Sequence, residues 1–444
     1  MEEYHICGGK PLYGTVKIHG AKNSALPILA ATLVTGGRCV IRNCPEITDV
    51  DAAMDILRHL GCEATRIGQE VVVDTTKANR WDIPTPLMQA MRGAVIFLGA
   101  LIARFGAAEI TLPGGCPLGA RPIDFHLAGL GRMGATIIAS DQQILCNLQQ
   151  PEECTIALPF PSVGATENLL LGALRCRGRV VICNAAKEPE IDDLIGFLRT
   201  CGADISGCGT SVLQIKGGKT LYPGSYTVMP DRMEAASYLA AGAATRGELL
   251  LKDLRTDHLT AVTEVLCRMG CQVQQTEKEI YLKCRKLTAA GAIHTAPYDG
   301  FPTDAQAPLM AAAAVAKGVT VIEETIFSDR FRHVPALRRM GAKIYAAKRC
   351  AVVDGVTKLQ GARVNATDLR GGAAMVIAGL CAEGESQVGC IEHIERGYSH
   401  FVETLRSCGA QIERRTDTDG TKRKTEKAAT AYLPCSSGCG TAPY

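Results

Sequence analysis

Aromatic residues are scarce in this 444-residue chain, 5% in all with a single tryptophan. Large rings therefore cannot build its interior. The abundant Gly and Ala instead suit small aliphatic side chains on closely packed helices. The length is too great for one ordinary core and predicts about two domains. Long hydrophobic runs are also missing. The longest lies near Ala94 to Ala103 and is broken by Arg104, too short to span an apolar layer of about 30 Å. The opening MEEYHICGGK is charged and has no apolar centre, unlike a secretory signal. Together these absences predict a cytoplasmic protein with no membrane partner. A dominant charge is lacking as well: the net charge is +3, which predicts no nucleic-acid partner. Any anionic substrate must then meet cations gathered locally.

Cysteine is plentiful, with 20 residues, but carries no ligand pattern. No CxxC pair occurs, and the CxxxC spacings Cys267/Cys271 and Cys435/Cys439 lack further Cys or His nearby. A metal site or disulfide framework is not expected. Cys176, Cys183 and Cys381 sit at core-like positions, which suits a reducing compartment. Walker A, strand-linked GxGxxG and GxSxG motifs are all absent. His126 and His333 stand alone and read as structural.

What the chain does have is a repeat. Six segments, MDILRHLGCEATRI, LAGLGRMGATIIA, IGFLRTCGADI, VTEVLCRMGCQV, VPALRRMGAKIYA and VETLRSCGAQI, each read as an amphipathic helix, a glycine and a strand. The glycines, Gly61, Gly134, Gly202, Gly270, Gly341 and Gly409, are spaced by 73, 68, 68, 71 and 68 residues. Apolar positions at i, i+3 and i+4 bury one helix face. The glycine accepts the left-handed conformation that ends a helix, and alternation then suits a half-buried strand. About 25 residues before each glycine lies an Ala-rich helix that is apolar nearly all round, such as EAASYLAAGAATRGELLL or QAPLMAAAAVAKGVTVIEE. Those helices should be central and the hinge helices nearer solvent. A fixed period of this kind fits either an open solenoid or two closed groups of three units. The polar stretch before Pro230-Asp231-Arg232 at mid-chain favours two lobes with a cleft between them, a common place for a ligand. Repetition ends near Glu413. The remainder from Arg414 to Tyr444, a charge run followed by a Gly, Ser and Pro-rich stretch, reads as disordered.

Several polar clusters interrupt the repeat. In GAKNSALPIL, Lys22 and Asn23 stand before a buried helix, whose free N–H groups favour an anion. In LPGGCPLGARPID, Cys116 lies in a Gly- and Pro-rich loop with Arg121 five residues on. A nearby cation stabilises a thiolate, so the loop fits a reactive thiol as well as an inert turn. In YDGFPTDAQAPLM, Asp304 precedes an apolar helix and reads either as its cap or as a general base. Arg92, Arg330, Arg332, Arg370 and Arg396 lie near the starts of repeat helices. If they converge, they suit bidentate binding of phosphate or carboxylate.

The motifs GAKNSALPIL, LPGGCPLGARPID, PSVGATEN, NAAKEPEI, MPDRME, FPTDAQA, DRFRHVPAL and ERGY occur in the order seen in the UDP-N-acetylglucosamine 1-carboxyvinyltransferases. The chain resembles that family from residue 1 to about 413. The resemblance implies an α/β fold of two lobes, an inside-out barrel arrangement of six βαβαββ-type units, three per lobe. The lobes would be 22–229 and 1–21 with 230–413. It implies transfer of the enolpyruvyl group of phosphoenolpyruvate to the 3-hydroxyl of UDP-N-acetylglucosamine, the first committed step of peptidoglycan precursor synthesis, with no metal or organic cofactor. Matched by motif, Lys22, Asn23, Arg121 and Arg396 would bind phosphoenolpyruvate. Arg92, Arg121, Pro122, Ile123, Asp124, Phe125, Ser162, Val163, Gly164, Asp304 and Ile326 would contact the UDP-sugar, and Arg330 and Arg370 would line the lobe interface. Cys116 would be the proton donor, able to form a phosphothioketal adduct and to be alkylated by fosfomycin. Asp304 would be the base, with Lys22 and Arg396 assisting the chemistry. A monomer or weak homo-oligomer is expected. The chain departs from the family pattern at Phe160-Pro161, where Lys-Val is usual, and at Gly93 and Glu395. Alternatives are 5-enolpyruvylshikimate 3-phosphate synthase, which lacks the loop cysteine, an RNA 3'-phosphate cyclase-like enzyme, and a catalytically silent repeat scaffold or regulator.

Overall fold

The structure, a computed structural model, describes residues 2–91, 93–111, 123–140, 143–149 and 153–416. Its helices and strands repeat six times. One contiguous unit shows the plan: strand Cys154–Ala157, helix Val163–Ala173, strand Arg179–Cys183, helix Pro189–Thr200, then strands Asp204–Ser206 and Val212–Lys216. The first strand pairs parallel with the second, and the second pairs antiparallel with the fourth, which also holds the third. Among the described residues, six four-stranded sheets are arranged around such helix pairs.

Three units borrow a strand. Ser225–Thr227 follows the third unit but adds in parallel to Arg38–Arg42 of the first. Tyr13–Lys17 adds in parallel to Glu248–Lys252 of the fourth. Glu2–Cys7 lies between Glu385–Gly389 and Gln411–Thr416 and completes the sixth. That last strand runs through Arg414, Arg415 and Thr416, opposite Tyr4, Glu3 and Glu2. The strand therefore reaches into the stretch read as disordered, because Glu2–Cys7 supplies a pairing partner that local composition does not reveal.

All six hinge glycines adopt positive φ, between 88° and 98°, as the helix-ending role requires. The Ala-rich helices are the interior. Every residue of Arg232–Ala244 is buried, and that helix packs against Thr303–Ala313 and Leu369–Cys381. Hinge helices such as Thr260–Arg268 bury only one face. Buried side chains form two separate clusters, one from residues 21 to 229 and one from residues 4 to 18 with 235 to 412. In the first cluster Phe97–Phe105 crosses Val163–Ala173 so closely that a Cβ on Gly99 would sit 2.3 Å from the Asn168 carbonyl oxygen. Of the three thiols read as core-like, Cys176 is buried, whereas Cys183 and Cys381 are only partly so. His126 and His333 are both buried. No described helix is long and apolar enough to cross a membrane.

Candidate active site

Six charged side chains meet where the two clusters face one another. Lys22 opens helix Lys22–Ala31. It is the first helical residue rather than the one before, and its amide donates to Asp231 Oδ2 at 3.1 Å. Its ammonium lies 2.6 Å from Asp49 Oδ2. The other oxygen of Asp49 accepts from Arg396 Nε at 2.7 Å. Asp49 is only 2% exposed, in the first turn of Thr48–His59, where a carboxylate also meets the positive end of the helix. Arg396 follows the short turn Glu392–Glu395. Beside it Gly397 has no room for a side chain: a Cβ there would come within 3.3 Å of Lys22 Cδ. Burial pulls the Lys22 ammonium below its ordinary pKa, and the Asp49 carboxylate opposes that shift.

Asp304 sits in the first turn of Thr303–Ala313 but caps nothing; Pro302 holds the cap position. Its carboxylate instead joins two buried arginines, with Arg330 Nη2 at 2.6 Å and Arg370 Nε at 3.2 Å. Burial alone would raise its pKa, but Arg370, Arg330 and Lys22 hold the carboxyl well below the usual range. Arg370 stacks over Tyr398 at 5.2 Å and Arg330 over Phe327 at 5.5 Å, which fixes both guanidinium planes. Three buried donors, Arg330 Nε, Arg370 Nη1 and Arg396 Nη2, have no hydrogen-bond partner among the described residues. Buried N–H groups are rarely left so, and these suit the oxygens of an anion.

The EPSP synthase family profile, described as 3-phosphoshikimate 1-carboxyvinyltransferase, matches residues 6–405. A UDP-N-acetylglucosamine 1-carboxyvinyltransferase 2 of Caldanaerobacter subterraneus subsp. tengcongensis is 47% identical over 93% of this chain and all of its own length. Another enzyme of that name, from Carboxydothermus hydrogenoformans, is 46% identical over 94% of this chain and all of its own. This chain belongs to the UDP-N-acetylglucosamine 1-carboxyvinyltransferase family. Among solved structures, the enolpyruvyl transferase NikO from Streptomyces tendae has a TM-score of 0.84 at 26% identity, covering 94% of this chain and 99% of its own. EPSP synthase from Acinetobacter baumannii, at 21% identity and a TM-score of 0.71 over 94% of this chain and 100% of its own, shares the fold. The architecture is thus the two-lobed, inside-out α/β fold.

Other candidate positions of this carboxyvinyltransferase-family chain fall at helix starts. Ile123 precedes helix Asp124–Arg132, on which Asp124 and Phe125 are the first residues. Ser162 caps Val163–Ala173, its Oγ accepting from Ala165 N at 3.4 Å. The two starts are adjacent: His126 Nδ1 is 2.8 Å from Asn168 Nδ2, and a Cβ on Gly164 would lie 3.3 Å from His126 Cε1. Ile326 is tied to the Asp304 region through Glu324, whose carboxylate accepts from Thr303 Oγ1 at 2.8 Å and from Ile326 N at 2.9 Å. Asn23 is exposed beside Lys22. Arg332 departs from the cluster and pairs with Asp329 at 2.5 Å, partly exposed. Arg92, Cys116, Arg121 and Pro122 lie outside the described residues.

Asp49, Asp231 and Glu324 were not singled out from sequence. Each is an ordinary-looking acidic residue near a helix or strand end. Asp49 finds Arg396 across 347 positions of chain, a pairing that no local pattern announces. Asp231 lies in the MPDRME motif, which was the available signal. Among the described residues no group of three His, Cys, Asp or Glu is arranged to hold a metal.

Proposed function

We propose that this protein transfers the enolpyruvyl group of phosphoenolpyruvate to the 3-hydroxyl of UDP-N-acetylglucosamine and releases phosphate. The observation that carries the reading is the convergence of Lys22, Arg330, Arg370 and Arg396 on one interface, with three guanidinium N–H groups unpartnered. Both substrates are anionic, and this cationic cluster draws on both lobes. In this reading the lobes are 22–229 and 1–21 with 230–413, and the protein works in the cytoplasm.

The chemistry follows from the charges. Lys22, Asn23 and Arg396, with Arg121 from the loop, hold the phosphate and carboxylate of phosphoenolpyruvate. Ile123 to Phe125, Ser162 to Gly164 and Ile326, with Arg92, Arg121 and Pro122, take the UDP-sugar. Closure of the lobes expels water and strengthens every ion contact. The sugar oxygen adds to C2 of the enol while Cys116 protonates C3. Asp304 accepts the hydroxyl proton. A carboxylate pinned between two arginines is a weak base, so it takes that proton late, once bonding to C2 has made the hydroxyl acidic. The tetrahedral intermediate then loses phosphate and a proton from C3, giving the enolpyruvyl ether. Cations on the leaving phosphate stabilise that step.

The test is phosphate release from phosphoenolpyruvate with UDP-N-acetylglucosamine or shikimate 3-phosphate as acceptor, before and after fosfomycin. Release only with the UDP-sugar, abolished by alkylation at Cys116, is expected. Release only with shikimate 3-phosphate would overturn the substrate, and no release from folded protein would favour a silent scaffold.

A further inference from the structure

Outside the cleft, one pair of thiols is placed for chemistry that enolpyruvyl transfer does not use. Strands Gln272–Gln275 and Glu279–Lys283 form an antiparallel hairpin in which Gln272 faces Lys283. Extending that register by one residue sets Cys271 opposite Cys284 at the hairpin base. Cys271 N donates to Leu266 O and Cys284 N to Gly247 O, each at 3.0 Å, so neither amide is spent on the facing residue. Facing residues of this non-hydrogen-bonded kind have Cα atoms about 4.5 Å apart, within the range of about 4.4–6.8 Å that a disulfide spans. The two thiols lie close enough to shift one another's ionisation in opposite directions. Both are buried, Cys271 at 6% and Cys284 at 1% exposure, while Cys267 stands exposed one turn back on Thr260–Arg268.

We propose that Cys271 and Cys284 are a redox modification site, a dithiol that peroxide converts to a disulfide across the hairpin base. The neighbouring Cys271 thiol and the cation of Arg246 favour the thiolate of Cys284, against its burial. The Cys284 sulfur attacks one peroxide oxygen; an S–O bond forms, the O–O bond breaks, and hydroxide leaves to take the proton Cys284 gave up. The Cys271 sulfur then attacks the sulfenic sulfur. The S–S bond forms, the S–O bond breaks, and the departing hydroxide leaves as water with the Cys271 proton. Two thiols lose two electrons, and peroxide becomes two waters.

The hairpin tip gives the change a route to the rest of the molecule. Glu277 and Lys278 line a cavity of about 750 Å³ whose other walls include Lys17, Ile18, Val228 and Pro230, the two segments where the chain passes between lobes. A cross-link at the base stiffens the wall opposite those crossings.

The experiment exposes the reduced full-length protein to hydrogen peroxide, blocks remaining thiols with N-ethylmaleimide and maps peptides by mass spectrometry. The expected product is a Cys271–Cys284 linked peptide pair, lighter by two hydrogens and lost on reduction, with an upward shift of the thermal unfolding midpoint from loop closure. Cys284→Ala should abolish both changes. If that variant does not fold, the wild-type peptide map decides alone. The proposal is overturned if both thiols stay free at a peroxide dose that oxidises exposed Cys267. It is equally overturned if the linkage found is Cys267–Cys271, or the other thiol contact, Cys39–Cys201.

Discussion

Two ionic junctions tie the lobes together, and they are built to opposite ends. At one, Glu190 and Arg232 pair bidentately, with Nε to Oε1 at 2.9 Å and Nη2 to Oε2 at 3.0 Å. Arg232 also stacks on Tyr298 at 5.3 Å, and the neighbours Glu188 and Lys187 reach the Tyr298 amide and Asp299. Within that pair charge is matched one to one. At the other, the single carboxylate of Asp49 serves both Lys22 and Arg396, and Arg396 Nη2 is left over. The matched pair spends its charges on one another, and the atom left without a partner beside it among the described residues is a carboxylate oxygen, Glu188 Oε2. The mismatched one holds an excess of cation that another anion can complete. Burial is similar in both, so what separates the two junctions is stoichiometry.

Breaking the matched junction should produce the largest effect. Glu190→Ala strands the Arg232 guanidinium in a site 8% exposed, and removing one partner of a buried pair costs about 3–5 kcal/mol. Urea unfolding should register that loss. A change below about 1 kcal/mol would mean that water reaches Arg232, as for an exposed pair. At the mismatched junction the cost should fall on activity. Arg396→Met is expected to leave the unfolding midpoint nearly unchanged while lowering kcat/KM for phosphoenolpyruvate by about 10²–10³-fold, as for loss of one charge-stabilising donor. Equal losses of stability in the two variants would erase the distinction.

The repeat explains how much of this was legible. Six glycines at a near-constant spacing, each needed at positive φ, announced the units, and the all-apolar helices announced the interior. Lys22, Asp304, Arg330, Arg370 and Arg396 were readable because polar residues interrupt a pattern that does not need them. Two kinds of information were not local. The borrowed strands depend on register between segments hundreds of residues apart, which is why Arg414 to Thr416 read as loose tail. Asp49 depends on a partner brought in by lobe packing. Asp304 shows the intermediate case: its position before an apolar helix was plain, but only the approach of Arg330 from later in the same unit and of Arg370 from the next decides that it is an ion-pair centre and not a cap.

A smaller effect tests whether Asp49 stands in for substrate. Its carboxylate holds Lys22 and Arg396, the cations proposed for phosphoenolpyruvate, and in that proposal the ligand would displace it. Asp49→Asn keeps the shape and removes the competing charge. The expected result is a KM for phosphoenolpyruvate lower by up to about 10-fold, since a charge contact of this kind is worth about 1.4 kcal/mol or less where partly screened. A lower kcat should accompany it, because Lys22 loses its orientation. A raised KM with unchanged kcat would mean that Asp49 supports binding uniformly and that the mismatch is not a place held for substrate.

The smallest effect concerns pH and separates Asp304 from an ordinary surface carboxylate. Its folded pKa lies below the unfolded value of about 3.9, because Arg370, Arg330 and Lys22 outweigh its burial. As pH falls through that window the unfolded chain takes up the proton first, so protonation favours unfolding. The stabilisation is therefore complete above about pH 5 and drains as pH drops towards the folded value. Asp304→Asn cannot titrate. Its unfolding free energy should change less between pH 6 and pH 3 than that of the wild type, whatever the two differ by at neutral pH. Urea titrations across that range give the slopes directly, and the slope is a cleaner reading than absolute stability, because the two arginines are orphaned in the variant at every pH. Parallel slopes would show that the arginines do not hold the carboxylate in solution, and the late-proton role drawn from that contact would go with it.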